Sequence, residues 1–178
     1  MCAVDVTPVV STERLILRGP VVTDAPAIAG FCNDLNVAGM TTSMPHPYGL
    51  DDAEAWVRQA QACDWERDAT FVIEHRNFGV VGMLTFDHDN GPRTEIGYCL
   101  GRPWWNRGYA TEAVRGGLKW VKRDWRRNVV VAGHFADNPA SGQVLCKAGF
   151  LYTGDVERRA SRSRGGAEVP TRMMVWLA

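Results

Sequence analysis

The most constraining stretch lies between residues 95 and 121. Glu95, Ile96, Gly97, Tyr98, Cys99 and Leu100 read as a strand, and the chain then turns through Gly101-Arg102-Pro103-Trp104-Trp105-Asn106-Arg107-Gly108 into a helix. The inward face of that helix is Ala110, Ala113, Val114, Gly117 and Val121. Side chains this small bring the helix axis close to the sheet it covers, because interiors pack without voids. The first helical turn leaves N–H groups free toward the loop, and the helix dipole favours negative charge there. Gly108 and Ala110 let a phosphate approach the backbone, and Arg107 adds a cation. Strand, loop and helix together make a candidate anion site. The alternative is a helix start whose glycines serve packing alone.

The surrounding pattern supplies the sheet. Residues 1–12 read as a loose leader and residues 13–178 as one domain. A first strand covers residues 14–18. Thr23-Asp24-Ala25-Pro26 starts a helix carrying Ile28, Phe31, Cys32 and Leu35, and prolines 45 and 47 break regular structure after it. Asp51 and Glu54 form a capping box for a second helix with Trp56, Val57, Ala60 and Cys63 on one stripe. The period then switches to two over residues 69–75, 79–88 and 93–101, with turn chemistry at 77–79 and at Asp89-Asn90-Gly91-Pro92, which makes an antiparallel meander. The small-faced helix follows from about 108 to 122, then a strand over 127–134. A fourth helix runs from Asn138-Pro139-Ala140-Ser141 to Gly149. Strands near 150–157 and 170–177 flank a loop containing Arg158, Arg159, Arg162 and Arg164. The order predicts an α+β fold with one central sheet.

Composition narrows the partners. The 178 residues, 46% apolar and 22% charged, describe a globular chain with no need of a disulfide or metal staple. Twenty basic and twenty acidic residues cancel, so bulk nucleic-acid binding through phosphates is not expected. No run of about 18 apolar residues suggests a membrane span. The N-terminus lacks a basic-then-apolar signal pattern. Five scattered cysteines and four scattered histidines show no ligand spacing, so no structural metal is expected and a reduced, cytoplasmic setting fits. Neither G-x-G-x-x-G nor G-x-x-x-x-G-K-[ST] is present, so a dinucleotide or a P-loop triphosphate is not the expected anion.

The loop ending in Gly108-Tyr109-Ala110-Thr111-Glu112-Ala113 resembles the acyl-CoA pyrophosphate loop of the GNAT N-acetyltransferases, in particular the ribosomal-protein alanine and serine N-acetyltransferases. Asn138-Pro139-Ala140-Ser141 with Lys147-Ala148-Gly149-Phe150 resembles that family's N-x-x-S…K-x-G-F helix, and Thr12-Glu13-Arg14-Leu15-Ile16-Leu17-Arg18 is similar to the subfamily's opening. The resemblance spans residues 12–177. It implies a mostly antiparallel mixed sheet of about seven strands and about four helices, splayed between the fourth and fifth strands. Three positions depart from the pattern: Trp105 stands where Gln or Arg is usual, Leu145 where a tyrosine acid is common, and Cys146 where an acidic residue is common.

The implied chemistry is direct attack of a primary amine on the acetyl-CoA thioester, with no metal and no covalent enzyme intermediate. The resemblance places cofactor binding on Tyr98, Cys99, Leu100, Trp105, Asn106, Arg107, Gly108, Tyr109, Ala110, Thr111 and Asn138. The backbone at Cys99 and Leu100 is the candidate for stabilising the oxygen that gains charge. Glu95 is the leading base, through a water; its alternative is a strand carboxylate paired with an arginine. Ser141 replaces the missing tyrosine as the group assisting thiolate departure; its alternative is a hydroxyl bonded to backbone. His134 ranks below both, and Cys99 and Cys146 read as small core residues. Residues 40–48 are expected to wall the acceptor groove, and the arginine loop either contacts an acidic substrate or is a solvated hairpin. The expected acceptor is a protein N-terminal amine of ribosomal type. The alternatives are a small-molecule amine (polyamine, amino acid or antibiotic) or a non-catalytic acyl-CoA-binding module, and a homodimer is left open.

Overall fold

The computed structural model describes residues 7–88 and 93–178. The turn expected at Asp89-Asn90-Gly91-Pro92 lies outside the described residues. Eight strands form one sheet: β1 (Val10–Ser11), β2 (Leu15–Arg18), β3 (Ala69–His75), β4 (Gly79–Asp87), β5 (Thr94–Leu100), β6 (Val129–Phe135), β7 (Leu151–Ser161) and β8 (Ala167–Leu177). They are ordered β1-β2-β3-β4-β5-β6-β8-β7. Every neighbouring pair is antiparallel except β5 and β6, which run parallel. The eighth strand is β1, two residues within the stretch read as leader, paired through Val10 with Leu17 and Ser11 with Ile16.

Helices cover both faces. On one side lie α1 (Ala25–Cys32), the single turn α2 (Leu35–Ala38) and α3 (Leu50–Gln61); on the other lie α4 (Tyr109–Arg123) and α5 (Pro139–Ala148). Strand alternation divides the core accordingly. Phe71, Ile73, Leu84 and Phe86 pack with Ala113, Val114, Leu118 and Val121 of α4, while Val72, Val80 and Met83 pack with Ile28, Phe31, Cys32 and Val57. A sheet buried on both faces explains why β3 and β4 read as nearly continuous apolar runs.

Three local expectations are corrected. Helix α3 begins at Leu50 with Gly49 as its N-cap, so Asp51 and Glu54 make no box: glycine offers no capping side chain, and the Gly49 N–H donates to Asp52 Oδ2 at 2.9 Å. Asp24 sits at the N-cap of α1, but its carboxylate turns back to Arg18 and the Val21 N–H. The arginine-rich segment is mostly strand. Arg158 and Arg159 lie on β7, and only Arg162–Arg164 forms a 3-10 turn, followed by Gly165 and Gly166 at positive φ. Cross-strand pairing with β8, including Arg158 with Glu168, extends the hairpin into a region whose local charge density reads as loop.

Two contacts set the position of α4. A Cβ built on Gly117 would stand 3.0 Å from the ring of Phe86, which is fully buried, so the helix rides at the closest approach the sheet allows. At its N-terminal turn, Glu112 accepts from the Thr12 hydroxyl at 2.6 Å, the Arg14 N–H at 2.7 Å and Arg14 Nε at 2.7 Å. Burial pushes the Glu112 carboxyl up, but these hydrogen bonds and the adjacent guanidinium outweigh it and hold the group below its ordinary range.

Gly117→Val is expected to cost about 1–3 kcal/mol in chemical denaturation, because Phe86 has nowhere to move. Glu112→Gln is expected to melt below wild type at neutral pH. A carboxyl held low when folded stabilises above the ordinary carboxylate range and loses that contribution as it protonates. The melting-temperature gap should therefore close as the pH falls through the folded pKa, which thermal scans across an acid series check.

Candidate active site

The site is built where β5 and β6 stop pairing. Their parallel register joins only Thr94 with Val130 and Glu95 with Val131. Both strands continue beyond those pairs, to Leu100 and Phe135. Backbone direction along β5 is fixed by its other neighbour: the Gly101 N–H donates to the Val81 carbonyl at 2.9 Å, and Cys99 is paired with Met83. Alternation then turns the N–H and C=O of Leu100 away from β4, toward the gap. The Leu100 carbonyl accepts from the Trp105 indole at 2.8 Å. Of the two residues expected to stabilise a developing oxyanion, Leu100 is thus the one whose N–H faces the gap.

Two helix N-termini meet this edge. The loop into α4 is left-handed at Asn106 (φ 60) and at its N-cap Gly108 (φ 79), and no side chain caps the helix. Helix α5 is capped by Asn138, whose side-chain oxygen accepts from the Ser141 N–H at 3.2 Å. Tyr98 bridges the two elements, with its Oη 2.8 Å from Ser141 Oγ and 3.1 Å from the Ser141 carbonyl. Burial raises the Tyr98 phenol well above its ordinary pKa, against the pull of its Ser141 hydrogen bond, so it stays a neutral donor at physiological pH.

A cavity of about 1100 Å³ follows the gap. It brings together Glu95, Tyr98, Cys99, Leu100, Trp105 and Asn106 with Gly108, Tyr109, Ala110, Thr111, Asn138 and Ser141. Arg107 is not among its lining residues; its side chain is exposed and its carbonyl accepts from Arg14 at 3.0 Å. The donor set suits an acyl-CoA. The uncapped N–H groups at the start of α4 match a diphosphate, and the N–H of Leu100, directed at the gap, matches a thioester carbonyl. Among the described residues no group of three or more His, Cys, Asp or Glu is arranged to hold a metal ion.

The remaining candidates sort by their partners. Glu95 is bridged through both oxygens by Arg159, at 2.5 and 3.2 Å, and Arg159 also binds Glu157. Sequence reasoning named an arginine partner for Glu95 only as a class; Arg159 lies 64 residues away on β7, with no local signal. Glu95 stands five residues before Leu100, about 16 Å along the strand. His134 is buried: Nδ1 lies 2.9 Å from the Phe135 carbonyl, which only accepts, so Nε2 is the acceptor for the Tyr152 hydroxyl at 3.0 Å. Its one lone pair is occupied. Cys99 lines the cavity and packs against the core containing Cys32, whereas Cys146 is exposed on α5 and is not a core residue.

Of residues 40–48, expected to wall an acceptor groove, residues 40–45 and Tyr48 line the cavity. The tip of the β7–β8 hairpin is fastened onto this wall. Ser161 Oγ donates to the Thr41 carbonyl at 3.0 Å, the Arg162 N–H to the Thr42 carbonyl at 2.9 Å, and Arg164 Nε to the Gly39 carbonyl at 2.6 Å. Arg164 also pairs with Asp137. Arg162 lines the cavity and is the one arginine of the four whose side chain makes no ion pair among the described residues.

Known proteins share this fold. The uncharacterized N-acetyltransferase p20 of Bacillus licheniformis is 27% identical over 159 residues, covering 85% of this chain and 88% of its own length. RimL, a ribosomal L7/L12 alpha-N-protein acetyltransferase solved with coenzyme A, superposes with a TM-score of 0.81 at 16% identity, covering 96% of this chain and 98% of that one. Spermidine N-acetyltransferase from Vibrio cholerae, solved with CoA and spermine, superposes with a TM-score of 0.76 at 17% identity, covering 93% and 96%. Residues 14–151 match the acetyltransferase (GNAT) domain family, so the stretch from Arg14 through the parted strands to Leu151 places this chain among the GNAT acetyltransferases.

Proposed function

We propose that this chain transfers the acetyl group of acetyl-CoA to the α-amine at the N-terminus of a polypeptide of ribosomal-protein type. The observation that supports the reading is the gap itself, where an uncapped helix N-terminus, the strand edge of β5 beyond its last pair with β6 and the wall of residues 40–45 share one cavity. The hairpin tip, fastened at Gly39, Thr41 and Thr42, favours an amine at the free end of a chain over one within an extended strand lying across the site.

Acetyl-CoA supplies an activated thioester to this site. The N–H groups of Gly108, Tyr109, Ala110 and Thr111 grip its diphosphate, and Asn138 borders the arm between the two helices. The Leu100 N–H stabilises charge on the attacked oxygen. Ser141 donates a hydrogen bond to the departing sulfur, with Tyr98 orienting its hydroxyl. Glu95 draws the amine proton off through intervening water, since its distance along β5 forbids direct contact.

Turnover of a panel of acceptors tests the assignment. N-terminal peptides of ribosomal proteins should exceed polyamines, free amino acids and aminoglycosides by at least tenfold in kcat/KM. A small amine as the preferred acceptor would replace the peptide reading, and CoA binding with no turnover would reduce the chain to a binding module. With the preferred acceptor, Glu95→Gln should lower kcat/KM by about 10²-fold or more and flatten the acid limb of the pH profile. Ser141→Ala should lower kcat while leaving the KM for acetyl-CoA near wild type.

A further inference from the structure

The outward side of the loop before α4 is held by Arg14, in the turn between β1 and β2. Arg14 Nη1 donates to the carbonyl of Arg107 at 3.0 Å. Its guanidinium lies 4.6 Å over the Tyr109 ring, and its Nη2 would stand 3.4 Å from a Cβ built on Gly108. The other end of the side chain is anchored by Glu112, through Nε and the Arg14 backbone N–H. One guanidinium thus links a loop carbonyl to a carboxylate on the first turn of α4.

The consequence follows from peptide geometry. The Arg107 carbonyl and the Gly108 N–H belong to one trans peptide plane and point in opposite directions. With the carbonyl drawn to Arg14, the Gly108 N–H points to the other side of the loop, and Gly108 lines the cavity. The residues at both ends of this stretch, Asn106 and Gly108, are left-handed, so the loop backbone is of the type that reverses at low cost. Reversal would aim the Arg107 carbonyl into the anion site, where an oxygen repels phosphate. We propose that Arg14 is a positioning residue for the cofactor: it selects the orientation of the Arg107–Gly108 peptide that presents an N–H to the diphosphate, and Glu112 fixes Arg14 in that role. The inference rests on the reading of this loop as the diphosphate site.

Two acetyl donors separate this role from general support of the fold. Acetyl-CoA carries the diphosphate and S-acetylpantetheine does not. Arg14→Gln should raise the KM for acetyl-CoA by about tenfold, the value of one hydrogen bond to a charged group. Its kcat at saturation should stay within about twofold, and kcat/KM for S-acetylpantetheine should be unchanged. Arg14→Lys keeps the charge but lacks the fork that reaches Glu112 and Arg107 together, so it should show the same selective loss, in a chain whose Glu112 retains a cation. An unchanged KM for acetyl-CoA, or equal losses with both donors, would overturn the assignment. A wild-type enzyme that uses both donors equally well would overturn the diphosphate reading beneath it.

Discussion

Strands β5 and β6 run parallel, join through Glu95 and Val131, and then part. Interior strands rarely leave backbone donors unpaired, because a buried N–H without a partner costs about 1–3 kcal/mol. Here the unpaired edge of β5 faces a cavity, not a neighbour, and the rest of the molecule supplies what a bound acyl-CoA needs on either side of it. The start of α4 brings free N–H groups from one direction. The start of α5 brings Ser141, and Tyr98 of β5 reaches across to meet it.

Packing explains how these parts come close enough to act together. Helix α4 can sit deep on the sheet because Ala113 and Gly117 present almost no bulk to Leu84 and Phe86. Its N-terminus is then stapled through Glu112 to Thr12 and Arg14 in the turn between β1 and β2, so the loop before it is braced from that turn as well as from the sheet. The hairpin of β7 and β8 performs a similar service for the cavity wall at residues 39–42. Arg158, Arg159 and Arg164 are spent on Glu168, Glu95 and Asp137, and the hairpin tip is fastened to that wall. Charge that reads in sequence as a solvated loop is mostly internal pairing.

What was legible in the sequence is what short-range chemistry encodes. The strand periods of residues 69–75 and 79–88, the small face of α4, the Asn138 cap and the Gly149 stop each depend on a few neighbouring residues, and each stands as expected, save that the second strand ends at Asp87. The α3 cap lies two residues before the expected Asp51: three closely spaced carboxylates, Asp51, Asp52 and Glu54, compete as first-turn partners, and the one used is Asp52, bonded by the Gly49 N–H. Partnerships between distant elements left no local trace. Glu95 with Arg159, Tyr98 with Ser141 and Arg14 with Arg107 join residues 43 to 93 positions apart, and nothing near either residue announces the other. Cys146 reads as core because a free cysteine behaves as a small, usually buried hydrophobe, yet its position on α5 turns outward.

The central claim is that the uncapped start of α4 is the anion site on which acetyl-CoA is held. Titration calorimetry of acetyl-CoA into wild type and Gly108→Asp tests it most directly. Aspartate tolerates the left-handed backbone of this position better than most residues, so the variant should fold. Its side chain starts 3.4 Å from Arg14 Nη2, and its carboxylate would neutralise that guanidinium and repel a phosphate. The account predicts saturable binding to wild type and none measurable in the folded variant. Equal affinities would contradict it.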